Sequence, residues 1–117
     1  MNTPFMLNDP PYGNERVYNA LPLAHVLLKK EPHMQVTVFL MAESVVATKA
    51  AQKTPVGYYN VERMLKRVLA SNGKVLLCGT CMDARGLDDA ALMAGARRST
   101  MDELAAATAE ADKVLVF

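Results

Sequence analysis

Gln35-Val36-Thr37-Val38-Phe39-Leu40-Met41-Ala42 (residues 35–42) has almost no polar side. Side chains along a strand alternate between two faces, and here Val36, Val38 and Leu40 on one are matched by Phe39 and Met41 on the other. A strand that is apolar on both faces belongs inside a parallel sheet covered by helices above and below. The segments on either side fit that frame. Pro4 to Leu7 is a short apolar strand stopped by Asn8-Asp9-Pro10-Pro11-Tyr12-Gly13, a dense cluster of turn formers. From Asn14 onward Val17, Leu21, Ala24, Leu27 and Leu28 recur at helical spacing, with a kink or late start expected at Pro22 and an end at Glu31-Pro32-His33.

Beyond residue 42 the same alternation continues. Glu43 to Gln52 reads as a second helix and Lys53 to Tyr59 as a loop. Met64, Leu65, Val68 and Leu69 form the stripe of a third helix, closed by Asn72-Gly73 in the manner of a left-handed cap. Lys74 to Leu77 is a strand that delivers Cys78 at its carboxyl end. Asp88 to Ala94 reads as a short helix, Gly95 to Arg98 as a brief strand, and Ser99-Thr100-Met101-Asp102-Glu103 as the start of a helix running to about Ala111. Lys113 to Phe117 is a last strand. Strands alternating with helices imply right-handed crossovers and a mostly parallel α/β sheet, with ligands bound beyond the carboxyl ends of the strands. There is no linker, repeat or second domain, so residues 1–117 are read as one domain.

Composition narrows the function classes. The core must come from aliphatic residues and Met, because the chain has eight Met, four Tyr, three Phe and no Trp. Thirteen basic residues against twelve acidic ones give a net charge of +1, which offers no electrostatic reason to expect nucleic acid or an anionic membrane. The apolar runs are too short to span a bilayer, and residues 1–7 lack the basic start of a secretory signal. Two cysteines three positions apart do not make a disulfide scaffold. The expected location is the cytoplasm, where a C-x-x-C pair is read first as reactive or metal-binding.

Cys78-Gly79-Thr80-Cys81 is therefore the chemical centre, and four readings apply to it. Cys78 can be an inert small hydrophobe, although a turn at Gly79 argues that its side chain emerges at the sheet edge. If a helix begins there, its amides lower the thiol pKa, and nearby Arg85 acts in the same direction. Tetrahedral zinc needs four ligands, whereas the only histidines, His25 and His33, lie outside the usual spacing, so no metal and no cofactor is expected. A thioredoxin fold needs a proline well after its C-x-x-C, but all six prolines precede Cys78. Finally, an activated thiolate can take up sulfane sulfur as a persulfide and yield it to another thiolate.

Leu7 to Gly13, Gly57-Tyr58-Tyr59-Asn60, Cys78-Gly79-Thr80-Cys81-Met82-Asp83-Ala84-Arg85-Gly86 and Ala111 to Phe117 together resemble the DsrE/DsrF-like family over nearly the whole chain. The resemblance implies a flavodoxin-like three-layer sandwich with about five strands, assembled into a homo-oligomer, trimer or hexamer. It also implies a role in sulfur relay between donor and acceptor proteins, as a carrier or sulfurtransferase, with the sulfur held on one cysteine ahead of an Arg-Gly. That role falls on Cys78 ahead of Arg85-Gly86. Arg85 is the expected local cation, and Cys81 a second or resolving thiol able to turn a Cys78 persulfide into an internal disulfide. Asp9, Tyr12, Tyr58, Gly79 and Thr80 are the expected substrate-pocket residues, and Arg97 and Arg98 are expected to be solvated. Two rival functions stand beside this one: a thiol-disulfide redox sensor using Cys78 and Cys81, and a non-catalytic oligomeric binding subunit.

Overall fold

A computed structural model describes residues 1–117. The strand read in residues 35–42 is realised as β2, Gln35–Leu40, the middle strand of a five-stranded sheet. Its companions are β1 (Asn2–Leu7), β3 (Lys74–Cys78), β4 (Ala96–Ser99) and β5 (Leu115–Val116), in the order β4-β3-β2-β1-β5. Every adjacent pair is parallel. The helices are α1 (Arg16–Lys30), α2 (Val61–Ala70), α3 (Gly79–Ala84) and α4 (Met101–Ala109).

The topology follows from handedness. The chain steps from β1 to β4 one place at a time in one direction, so right-handed crossovers lay the intervening helices on one face. The return to β5, on the far side of β1, carries α4 across the other face. Alternation then sorts the side chains. Phe5, Leu7, Val36, Val38, Leu40, Val75 and Leu77 pack with Val17 and Leu21 of α1 and Leu65 and Val68 of α2. Phe39, Leu76 and Cys78 pack on the opposite face against Leu104 of α4. Consecutive residues of β3 therefore serve different layers: Leu77 anchors the large core, and Cys78 opens on the thin one.

Three expectations change. The segment 43–52 is not an α-helix but a 3₁₀ helix, Ala42–Thr48. The Ser44 hydroxyl is turned onto the carbonyls of Leu7 (2.8 Å) and Met41 (2.6 Å), and the Thr48 hydroxyl donates to Val45 O at 2.7 Å. Such side-chain to backbone bonds compete with the i→i+4 ladder, and the β-branched pair Val45-Val46 weakens it further. The second change lies at 88–94, where only Asp89–Ala91 is helical, again 3₁₀. Its neighbours spend their backbone groups on the 48–50 segment instead, through Met93 N to Thr48 O (2.8 Å) and Ala50 N to Ala91 O (2.9 Å). The third concerns Pro22: of the kink or late start expected there, the late start is excluded, because α1 starts at Arg16 and runs through Pro22. The close of α2 is as read: Asn72 takes the left-handed conformation (φ 67°) and Gly73 N reaches back to Val68 O at 2.9 Å.

Ala42, at the joint between β2 and the 3₁₀ helix, has φ 51°. An L-residue with a Cβ is strained there by roughly 1–2 kcal/mol, part of which glycine returns as extra unfolded-chain freedom. Ala42→Gly should accordingly raise the unfolding free energy by up to about 1 kcal/mol in a urea titration. A clear loss of stability would contradict the strain assignment.

Candidate functional site

Cys78 ends β3 and caps α3. Its backbone is still extended (φ −62°, ψ 115°), and its Sγ accepts the Cys81 amide at 3.4 Å, the place usually taken by a Ser or Asp oxygen. The Thr80 hydroxyl lies 3.2 Å from the same sulfur. Gly79 sits in close packing, because a Cβ there would meet Arg98 Nη1 at 3.0 Å and Ser99 O at 3.1 Å. The side chain of Cys78 is 8 % exposed and that of Cys81 is half-buried. Both are free thiols.

The two sulfurs are electrostatically unequal. Burial raises the Cys78 thiol, but the Cys81 thiol, the Thr80 hydroxyl and the amides of both residues stabilise its thiolate, and the net shift is downward. Cys81 moves upward, through burial and through donating its proton to Cys78, only partly offset by the Ala42 amide and the Arg85 charge. The Ala42 amide donates to Cys81 Sγ at 3.3 Å, so the strained joint after β2 touches the site directly. Of the two thiols, Cys78 is thus the more readily ionised and Cys81 the less. Cys81→Ala removes a donor to that thiolate, so the midpoint of iodoacetamide alkylation of Cys78 should move to higher pH. An unchanged midpoint would contradict the assignment.

Beside Cys78 lies a cleft of about 300 Å³. Gly79, Thr80 and Asp83 line it from α3, with Arg98, Ser99, Thr100 and Met101 opposite. Its cation is Arg98, not Arg85. Arg98 keeps a side chain 36 % exposed, as expected, but is also held by Asp89 (3.0 Å), Asp83 (3.0 Å) and the Gly79 carbonyl (3.0 Å). Arg85 serves the other thiol: its Nη1 donates to Cys81 O at 3.0 Å, and its Nε and Nη2 grip Glu43 at 3.1 and 2.9 Å. Arg97 pairs with Glu103 at 2.7 Å, an exposed bond that holds the Glu103 carboxyl down to about 2.

Of the expected pocket residues, Gly79 and Thr80 lie at Cys78, while Asp9, Tyr12 and Tyr58 do not line its cleft. Asp9 pairs with Arg16 at 3.2 Å in the crevice between β1 and β5, where the strand order reverses. The Tyr12 hydroxyl donates to Gln52 Oε1 (2.6 Å) and accepts the Val61 amide (3.1 Å). Its ring joins Tyr58 and Tyr59, and Tyr18 meets Tyr59 at a tilt of 47°. Sequence reading missed Arg98, Met101 and the Ala42 amide. The short strand after Gly95 was the available signal for the first, since pairing β4 to β3 sets Ser99 beside Cys78.

A profile of the DsrE/DsrF-like family matches residues 1–117. The chain belongs to that family. It is 42% identical over 110 residues to protein YchN of Escherichia coli, covering 94% of this chain and 93% of that one. It is 35% identical over 112 residues to an uncharacterized protein of Methanocaldococcus jannaschii, covering 96% of each. The crystal structure of YchN from Escherichia coli superposes with a TM-score of 0.92 at 40% identity, covering 100% of both chains. A protein of unknown function from Methanobacterium thermoautotrophicum shares the fold, with a TM-score of 0.81 at 13% identity over 99% of this chain and 98% of that one. Membership of the DsrE/DsrF-like family points to sulfur-relay chemistry as the general area of function. No helix is long and apolar enough to cross a membrane.

Proposed function

We propose that this DsrE-like protein carries sulfane sulfur as a persulfide on Cys78 and passes it to a partner. The observation that carries the reading is the inequality of the two thiols, with Cys78, the one held lower, on the wall of an open cleft. In loading, the Cys78 thiolate attacks the outer sulfur of a donor persulfide; a new S–S bond forms as the donor's breaks, and the donor leaves as a thiolate. In unloading, an acceptor thiolate attacks the outer sulfur now on Cys78, and Cys78 leaves as the thiolate it was. No net oxidant is needed. Thr80 and Arg98 line the space into which the outer sulfur projects, and both are donors for its charge. Donor and acceptor are proteins with reactive thiols, the setting is the cytoplasm, and the working unit is a trimer or hexamer. Exposed Met101, Val114 and Val116 around α4 and β5 support an assembly surface, which light scattering checks. Incubation with a small persulfide donor should add one sulfur to the intact mass, and Cys78→Ser should take up none. Absence of an adduct with every donor would overturn the proposal.

A second reading is favoured by the closeness of the two cysteines, whose contact is the Cys81 amide on the Cys78 sulfur at 3.4 Å. Cys81 can attack the inner sulfur of a Cys78 persulfide, forming the Cys78–Cys81 disulfide and expelling hydrosulfide, or the pair can act as a redox sensor without sulfur. Thiol trapping at graded glutathione potentials separates the two, because the sensor forms its disulfide without any sulfur uptake. An alkylation-resistant Cys78 would instead favour a non-catalytic binding subunit.

A further inference from the structure

The chain holds ten sulfur atoms, in eight Met and two Cys, and half of them gather at one place. Met6, Met41 and Cys81 pack on the small cluster that contains Cys78, and Met101 stands on the wall of the adjoining cleft. Met41 is set by register. β2 and β3 pair Leu40 with Leu77, and Met41 remains extended (φ −126°, ψ 167°), so the next pair across the sheet is Met41 beside Cys78. Both lie on the α4 face. A strand spacing of about 5 Å brings the Met41 thioether within reach of the Cys78 sulfur. Cys81, one turn of α3 away, is already hydrogen-bonded to Cys78 through its amide at 3.4 Å.

Thiolates and thioethers are soft ligands, and in combination they select Cu(I) over harder ions. The expectation of no metal counted only histidines and thiolates toward zinc. No three side chains among His, Cys, Asp and Glu converge to hold a metal ion in this fold, so a dication seeking a tetrahedral set finds two thiolates and nothing more. For Cu(I), which is satisfied by two or three sulfurs, the count is sufficient. We propose that Cys78, Cys81 and Met41 form a site for one Cu(I) ion per chain. On binding, both cysteines coordinate as thiolates, any proton they still carry passing to solvent, and two Cu–S bonds form, while the Met41 sulfur adds a third through its lone pair. Copper stays monovalent and no electron moves. Because the metal uses the Cys78 thiolate, a copper-loaded chain takes up no sulfur. The site does not depend on the sulfur-carrier reading, and either can hold without the other.

The test titrates fully reduced, full-length protein under anaerobic conditions against Cu(I) held by bathocuproine disulfonate. The colour of the competitor reports the copper lost to the protein. The expected result is one Cu(I) per chain, retained in the presence of excess Zn(II). Cys78→Ser and Cys81→Ser should each weaken capture by at least about 100-fold, and Met41→Leu by about tenfold. Met64→Leu, in a methionine packed on the opposite core, should leave capture unchanged. Circular dichroism establishes that each variant is folded. Failure to take copper from the competitor would overturn the site. So would a stoichiometry of one ion per two chains, which places the metal between copies, or a Met41→Leu affinity equal to that of the parent.

Discussion

Leu77→Ala should lower the unfolding free energy by about 2–5 kcal/mol, read from urea midpoints at constant slope. Leu77 is fully buried on β3, between β2 and β4, and packs into the large core shared with α1 and α2. Shortening it removes apolar burial and leaves a cavity that a paired strand cannot close by shifting. The same residue fixes where Cys78 sits. Since Leu77 and Cys78 point to opposite layers, a strand loosened on the core side also loosens the thiol's hold on the Cys81 amide. Alkylation of Cys78 in Leu77→Ala should therefore shift toward the behaviour of an ordinary thiol. A variant as stable as the parent would mean that the core layers have been drawn wrongly.

Glu62→Ala should cost about 2–4 kcal/mol, because it strands two backbone donors. The Glu62 carboxylate is buried and accepts the amides of Gln52 (2.9 Å) and Ala51 (3.3 Å), with Lys66 at 3.2 Å on the same oxygen as Ala51. Ala51 sits in the left-handed region at φ 66°, so this carboxylate braces a turn that is itself strained. Burial pushes the Glu62 carboxyl up, but the two amides and Lys66 bring it net below its usual value. A depressed folded value means the carboxylate stabilises the protein above the ordinary glutamate range. That contribution fades as pH falls from there through the depressed value. The stability gap between parent and Glu62→Ala should thus narrow in acid, and Glu62→Gln should show a flatter acid limb than the parent. A gap independent of pH would contradict the ionised role of Glu62.

The fold was legible where local pattern and tertiary demand agreed. β2 announced itself by being apolar on both faces, α2 by its stripe and its Asn72-Gly73 close, and α4 by Thr100, which caps the Glu103 amide at 3.2 Å. Residues 43–52 misled because the Ser44 hydroxyl is claimed in part by a carbonyl that no local window contains, Leu7 O, 37 residues away. The site divided the same way. The C-x-x-C pair, with its strand before and Gly79 within, is a contiguous signal and could be read directly. Arg98 reaches Gly79 across 19 residues of chain, and its part became visible only once β4 was aligned with β3. Arg85 misled through proximity in sequence: four positions after Cys81 it lies one helical turn on, and so serves Cys81 rather than Cys78. The turn formers around Asp9 and Tyr12 shape a loop whose side chains are spent on Arg16, Gln52 and the tyrosine stack.

The central claim is that Cys78, and not Cys81, bears the transferred sulfur. Tryptic cleavage after Lys74 and Arg85 isolates both cysteines on one peptide, Val75–Arg85, whose fragment ions separate them. After loading with a persulfide donor and rapid alkylation, tandem mass spectrometry of that peptide locates the extra sulfur. The account predicts it on Cys78, both in the parent and in Cys81→Ala. Sulfur found on Cys81, or on neither cysteine, would contradict it.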